Sequence, residues 1–227
     1  MTITLHHPWL DWELGTDHRI FGWALNMPGF SQAKRVIWRQ LRNADLPPDL
    51  DVKPWLAAEL ATRGAQDAPC FLTSRRIDAY CHRQVQVGEV QADCLATVGL
   101  SNAERVGARV DRSGRDWNRD LGASFGTINV AARVTTGLTD AGLIEALSIL
   151  VQARTVAVMD AGHRLPTGLA TGTGTDCALI AARTDAPAQE YAGLHTDLGE
   201  ALGGAVYATV LQAARDWQAT IGTVSEG

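Results

Sequence analysis

Leu198, Leu202, Val206, Val210, Ala213 and Trp217 recur almost every fourth residue, which predicts a long amphipathic helix over residues 195–218. Such a helix needs an apolar surface to cover, and the segments before it supply one as strands. Cys177 to Ala182 is a short apolar run. Thr127-Ile128-Asn129-Val130-Ala131-Ala132-Arg133-Val134, entered at Gly126, reads as a second strand. After it Thr139 or Asp140 caps a helix over 139–154, with Leu143, Leu147, Leu150, Val151 and Arg154 at three- and four-residue steps. The β-rich Thr155-Val156-Ala157-Val158-Met159-Asp160 is expected as a strand. Residues 127–160 then form a strand-helix-strand unit, most simply a right-handed parallel crossover.

Earlier segments add to the sheet. Cys70 to Ser74 is expected as a strand, and Val85, Val87, Val90 and Ala92 flank Gly88-Glu89 as a hairpin that runs into the buried stretch Cys94 to Leu100. Pro54 to Gly64 has proline at the start and glycine at the end of a short helical pattern. Ser101-Asn102-Ala103-Glu104 fits a capping box and predicts another short helix, whereas 111–120 and 162–168 read as loops. The expected class is α/β, with α+β as its variant: a mixed sheet carrying amphipathic helices. The 227 residues are expected as one domain, 1–227, with a core over 68–218. Residues 1–66 hold five of the seven tryptophans and several prolines. They are expected as an outer elaboration of short elements and loops, some of whose tryptophans can line a pocket for a large flat ligand.

Composition removes several functions. A net charge of −5 with scattered Lys and Arg gives nucleic acid no basic surface. Cys70, Cys81, Cys94 and Cys177 form no C-x-x-C pair and read as reduced core thiols. No His-Glu-x-x-His pattern occurs, so no metal site is expected. The N-terminus lacks a basic segment followed by an apolar one, and no run approaches the ~18 apolar residues of a membrane span. A cytoplasmic protein without membrane partners is expected; a homo-oligomer is left open.

Chemistry concentrates in Leu169-Ala170-Thr171-Gly172-Thr173-Gly174-Thr175-Asp176. No Gly-Lys-Thr ending follows, and a strand, not a helix, comes next, which argues against a phosphate loop. Gly172 and Gly174 let a substrate approach the backbone, whose N–H groups suit an oxyanion; the other reading is a glycine-rich bulge. Asp176 is a general base or an Asx-type turn cap, and Thr171, Thr173 and Thr175 are nucleophile candidates. His195 is expected to face inward at the helix start as the imidazole candidate for base catalysis, with Glu200 well round the helix from it. Asn129 is a polar side chain in an apolar strand and needs a partner if buried.

Five motifs taken in order resemble the adenosylcobinamide amidohydrolases: Phe71-Leu72-Thr73-Ser74, Thr97-Val98-Gly99-Leu100-Ser101-Asn102, Gly126-Thr127-Ile128-Asn129, Ala170 to Asp176, and His195-Thr196-x-Leu198-Gly199-Glu200 with Val206-Tyr207. The resemblance covers about 68–215. It implies hydrolysis of the amide that joins the aminopropanol arm to the corrin ring of adenosylcobinamide, giving adenosylcobyric acid for cobalamin salvage. Cobalt then belongs to the corrinoid substrate, and no cofactor is needed. Catalytic candidates are His195, Asp176, Thr173, Thr175 and Asn129; substrate-binding candidates are Ser74, Asn102, Thr171, Gly172, Gly174 and Glu200. Two rival readings are a non-catalytic corrinoid-binding or carrier protein and a small-amide hydrolase with a threonine nucleophile.

Overall fold

The computed structural model describes residues 2–42, 45, 47, 49–111, 113 and 126–222. It opens on three strands, β1 (Thr2–His6), β2 (Trp9–Ala24) and β3 (Met27–Gln40). Helix α1 (Val52–Arg63) follows, then β4 (Cys70–Thr73) and the hairpin β5 (Cys81–Val87) and β6 (Val90–Val98). After the two-residue β7 (Ala103–Glu104) come β8 (Ile128–Val134), β9 (Gly137–Leu138) and helix α2 (Asp140–Asp160). The pair β10 (Arg164–Leu165) and β11 (Gly168–Leu169) leads to β12 (Gly172–Thr173), β13 (Cys177–Arg183), β14 (Ala188–Gln189) and helix α3 (Asp197–Gly222).

Eight strands make one mixed sheet in the order β4-β3-β2-β13-β8-β6-β5, with β1 added beside β2. β8 and β13 are parallel, and α2 lies in the connection between them. The sheet bends where β2 and β3 lose register between Glu13 and His18, at a point where Gly15 takes φ +97°. This bend lays the first half of β2 and the second half of β3 over the main sheet. Leu10, Trp12, Val36, Trp38 and Phe71 then share one buried cluster with Leu95, Ala131, Leu179 and Ala181. The alternate residues Val130, Ala132, Ala178 and Ile180 face the other way, onto α2 and α3. Ile37 and Cys70 carry the outer helix α1 through Leu56 and Leu60. The layers therefore run helix, sheet, sheet, helix.

Three expectations change. The tryptophan-rich start is not short elements and loops: β2 and β3 are 16 and 14 residues long. Trp12 and Trp38 fill the inter-sheet core, and Pro28 is tolerated because there β3 has β2 on one side only. Residues 155–160 continue α2 instead of forming a strand, because β-branching costs a helix little and Ala157 and Val158 are buried in the helix layer. The crossover is thus β8-α2-β13. The Ser101–Glu104 box caps no helix; Glu104 and Ala103 pair with Gly172 and Thr173, and the Glu104 carboxylate accepts from Val110 N at 2.9 Å. The expected loop over 111–120 lies almost wholly outside the described residues.

By length and composition α2 could cross a membrane, with a mean hydropathy of 1.5 over its most apolar window. Its Leu143, Ala146, Leu147 and Leu150 are instead in the core against β13 and α3.

The inter-sheet layer also holds a charge cluster. Asp93 is fully buried, accepts from Arg133 Nε at 3.0 Å and lies 3.5 Å from His82 Nε2. Burial works to raise its proton affinity, but His82, Gln91 and Arg133 outweigh it and hold the carboxyl below its ordinary value of 3.8. Its stabilising contribution is present above that value and is lost as pH falls through the lower folded one. Acid unfolding followed by far-UV circular dichroism should therefore show a transition that becomes shallower in Asp93→Asn, which is also less stable near neutrality.

Candidate functional site

Four of the five motifs meet at one end of the sheet. There β8 and β13 begin, β4 and β6 end, and the segments 74–76, 99–102, 126–127 and 170–176 converge. Their approach is close: Gly99 N donates to Thr127 O at 3.0 Å, and a Cβ on Gly126 would stand 2.6 Å from the Gly99 carbonyl oxygen. Gly174 N donates to Asn102 O at 3.1 Å, which stitches the threonine-glycine turn to the loop after β6.

The turn is built around Asp176. Its Oδ1 accepts from Thr173 N at 3.1 Å and Ile128 N at 3.3 Å, and also from the Thr173 hydroxyl; its Oδ2 pairs with Arg154 Nη1. Arg154 Nη1 also reaches Thr171 O at 3.3 Å. The side chains of Asp176 and Arg154 are 12% and 14% exposed, so this is a buried ion pair. Burial raises the proton affinity of Asp176 above the ordinary aspartate value, against the opposing pull of Arg154 and Thr173. The Thr171 hydroxyl accepts from Val106 N at 2.7 Å, and a Cβ on Gly172 would collide with Arg154 and Asp176. Any larger residue there would have to displace the two ends of the ion pair.

The backbone N–H groups expected to hold an oxyanion are occupied. Thr171 N, Thr173 N and Gly174 N donate to Glu104 O, Asp176 Oδ1 and Asn102 O. A side-chain donor at the turn is Arg154, whose guanidinium makes no hydrogen bond among the described residues beyond those to Asp176 and Thr171. Sequence reading placed Arg154 on the inward stripe of α2 without giving it a role. A guanidinium at a core-facing step needs a counter-charge, and that was the available signal.

Because side chains alternate along a strand, the turn divides two hollows on opposite faces of the sheet. On the helix side, Thr171, Gly172, Thr173, Gly174 and Asp176 line a polar cleft with Glu104, Arg105 and Arg154. On the inter-sheet side, Ser74, Thr127, Thr175 and Cys177 line a largely apolar cavity of about 370 Å³ with Leu25, Leu41 and Leu72, and Arg42 is the charged residue in its wall. Asn129 is fully buried beside it, in register with Cys177 and Thr97, and donates Nδ2 to Leu72 O at 2.8 Å. Burial pushes the Cys177 thiol up to about 11, with Asp176 adding to it, so the sulfur stays protonated near neutrality.

His195 and Glu200 lie elsewhere. His195 is exposed, precedes α3 and does not face inward; Thr196 caps the helix, its hydroxyl accepting from Gly199 N at 2.9 Å. A Cβ on Gly88, in the β5–β6 turn, would meet Asp197 at 2.5 Å, so this end of α3 sits at the opposite end of β6 from the threonine-glycine turn. The nine residues of β6 put about 30 Å between them. The helical period fixed which residues share a side of α3 but not where that side ends. It is the C-terminal part of α3 that approaches the turn, with Trp217 Nε1 3.7 Å from a Cβ on Gly99.

Comparison with known proteins gives a family model described as adenosylcobinamide amidohydrolase, CbiZ, which matches residues 1–221. An uncharacterized protein of Methanocaldococcus jannaschii, MJ1613, is 32% identical over 92 residues, 39% of this chain and 36% of that protein. The chain thus matches little more than a third of that relative's length. Among solved structures, the PH0078 protein from Pyrococcus horikoshii OT3 is similar with a TM-score of 0.41 and 9% identity, over 90% of this chain and 76% of that one. The L-aminopeptidase D-Ala-esterase/amidase from Ochrobactrum anthropi, described as a variant of the Ntn hydrolase fold, has a TM-score of 0.41 and 12% identity, over 90% and 76%.

The buried pair makes a stability test. Arg154→Leu leaves Asp176 without its counter-charge and should cost about 3–5 kcal/mol in urea unfolding, whereas the double variant Arg154→Leu/Asp176→Asn should recover part of that loss.

Proposed function

The chain belongs to the adenosylcobinamide amidohydrolase family, and from that membership we propose that it cleaves the amide joining aminopropanol to the corrin ring of adenosylcobinamide. The products are adenosylcobyric acid and free aminopropanol. The family is one of amidohydrolases, and it implies a corrinoid substrate whose cobalt is part of the substrate.

One observation carries the assignment of the chemistry to the polar cleft. The Thr173 hydroxyl donates to a buried carboxylate, Asp176, that Arg154 holds in place from the other side. A nucleophile against a base that a third group orients is the arrangement acyl transfer requires. Among the described residues Thr173 is the one O–H that donates to Asp176, so the proton this carboxylate takes is the threonine's. Its raised proton affinity moves it toward the range useful to a base.

In the first step Thr173 Oγ1 adds to the amide carbon and its proton passes to Asp176. The carbonyl oxygen becomes an oxyanion beside the Arg154 guanidinium. The C–N bond then breaks, Asp176 returns the proton to the leaving nitrogen, and a corrinoid ester of Thr173 remains. Water, giving its proton to Asp176, hydrolyses that ester and restores the hydroxyl. Thr171, Gly172, Gly174 and Asn102 hold the turn in shape for this chemistry. Ser74 and Thr175 line the neighbouring cavity, Asn129 is buried behind its wall, and His195 and Glu200 have no part in this reaction.

The test is incubation with adenosylcobinamide and mass-spectrometric detection of free aminopropanol. Thr173→Ala and Asp176→Asn should each lower kcat by about 10²–10⁴-fold. Because Asp176 must be ionised to accept the proton, turnover should rise with pH along a limb lying above 3.8, and that limb should vanish in Asp176→Asn. Binding of adenosylcobinamide with no aminopropanol released would favour a corrinoid carrier instead.

A further inference from the structure

Three exposed apolar side chains gather about the threonine-glycine turn and have no part in the chemistry above. Where the turn leaves for β13, Trp23 Nε1 donates to Asp176 O at 2.7 Å, and Trp23 is 39% exposed. At the other end of the turn Val106 N donates to the Thr171 hydroxyl, and Val106, 79% exposed, lines the polar cleft. Trp23 lies two residues after Phe21 on β2. Phe21 packs against the helix-side core, so the indole is on the face of the sheet that carries the cleft. Phe30 pairs with Phe21 across the hairpin, and their rings stack with centroids 4.4 Å apart. Phe30 is exposed where β3 has no further strand beside it among the described residues. The one polar group of the Trp23 side chain is already satisfied, so what it offers solvent is ring alone. Single exposed apolar side chains are ordinary, but a contiguous group beside a polar cleft marks a binding surface.

We propose that Val106 and Trp23, extended by Phe30, form the surface on which the corrin ring of the substrate lies while its amide arm enters the cleft. The inference rests on the corrinoid substrate reading. In that reaction the corrin is on the acyl side of the bond that breaks, so it stays beside Thr173 from binding until the ester is hydrolysed. Asp176 joins the two places: its carboxylate accepts from the Thr173 hydroxyl and its carbonyl from the Trp23 indole. Neither hollow can hold the ring itself. The inter-sheet cavity, about 370 Å³, is at the low end for a drug-sized ligand and well short of a corrin. A corrin is a broad macrocycle edged by methyl groups as well as amide arms, and it needs apolar contact wider than one side chain gives. The two ends of the turn supply that contact on both sides of the reacting threonine. Among the tryptophans of residues 1–66, Trp23 is the one free to serve a large flat ligand. Trp12 and Trp38 are fully buried, and Arg39 lies over the rings of Trp9 and Trp55.

The probe is dicyanocobinamide, which has the ring and its arm but no adenosyl group, titrated by equilibrium dialysis into the intact protein and into Thr173→Ala. Both should bind it. Val106→Ser and Phe30→Ser should each weaken binding by about three- to tenfold, and Trp23→Ala by about tenfold or more, with Trp23→Phe recovering most of the loss. Val106 and Phe30 are exposed, so urea unfolding of their serine variants should match the unaltered protein, which separates lost contact from lost fold. Excess 5′-deoxyadenosine should not displace the probe; displacement would give the surface to the adenosyl group and overturn the assignment. So would a dimer in sedimentation that Phe30→Ser dissociates with no change in probe affinity. Unchanged affinity in the Val106, Trp23 and Phe30 variants, or no binding at all, overturns it even if aminopropanol is released from adenosylcobinamide. Affinity that depends on these residues in a protein that releases no aminopropanol sustains the corrin surface and sinks the proposed reaction.

Discussion

Strands β8 and β13 are buried along almost their whole length on both faces, and the architecture answers to that fact. A parallel pair of this kind has to be covered from both sides. One face receives α2 and α3, and the other receives the folded-over half of the β2–β3 hairpin, for which Trp12 and Trp38 supply the bulk. The bend at Gly15 is what allows one continuous sheet to serve as both the covered layer and its cover. Buried on two sides, the strands can present chemistry at their ends alone, and the loops around the start of β8 and β13 are where the polar residues gather.

Within those loops, one ion pair sets the geometry. Arg154 reaches from α2 to Asp176, Gly172 is a glycine because that pair occupies the place of its side chain, and the Thr173 hydroxyl is turned onto the carboxylate. Much of the dense patch of hydroxyls and carboxylate holds the turn: Asp176 accepts from Thr173 N in the Asx-type manner, and the reaction proposed above gives the same carboxylate the part of the base. The backbone N–H groups that glycine-rich sequence seemed to offer are consumed in holding this shape.

The sequence made the layers legible where burial follows a simple period. α3, the start of α2 at Thr139, the β5–β6 hairpin and the central strands all follow from spacing. It misled where a local preference met a stronger tertiary demand. Thr155 to Asp160 looks like a strand in isolation, but it extends a helix already nucleated and packed. Ser101 to Glu104 looks like a helix start, but Glu104 finds a strand partner some seventy residues later in Gly172. The motifs around Ser74, Asn102, Asn129 and Asp176 converge at one end of the sheet, which their order along the chain did not foretell, while His195 sits at the far end. Arg154 was hidden because a charged residue on an apolar stripe declares that a partner exists without naming it.

Asp176 and Cys177 are neighbours in the chain, yet the pleat sends one into the polar cleft and the other to the apolar cavity. The two compartments are therefore locked in phase. Residues can be gained or lost in the connection from α2, upstream of Ala170, without disturbing either. A single residue added between Thr173 and Cys177 would exchange the two faces, setting a carboxylate against the leucines and a thiol against Arg154. The reach of that connection and the parity of its last step are thus separate requirements, and the second alone keeps the two compartments distinct.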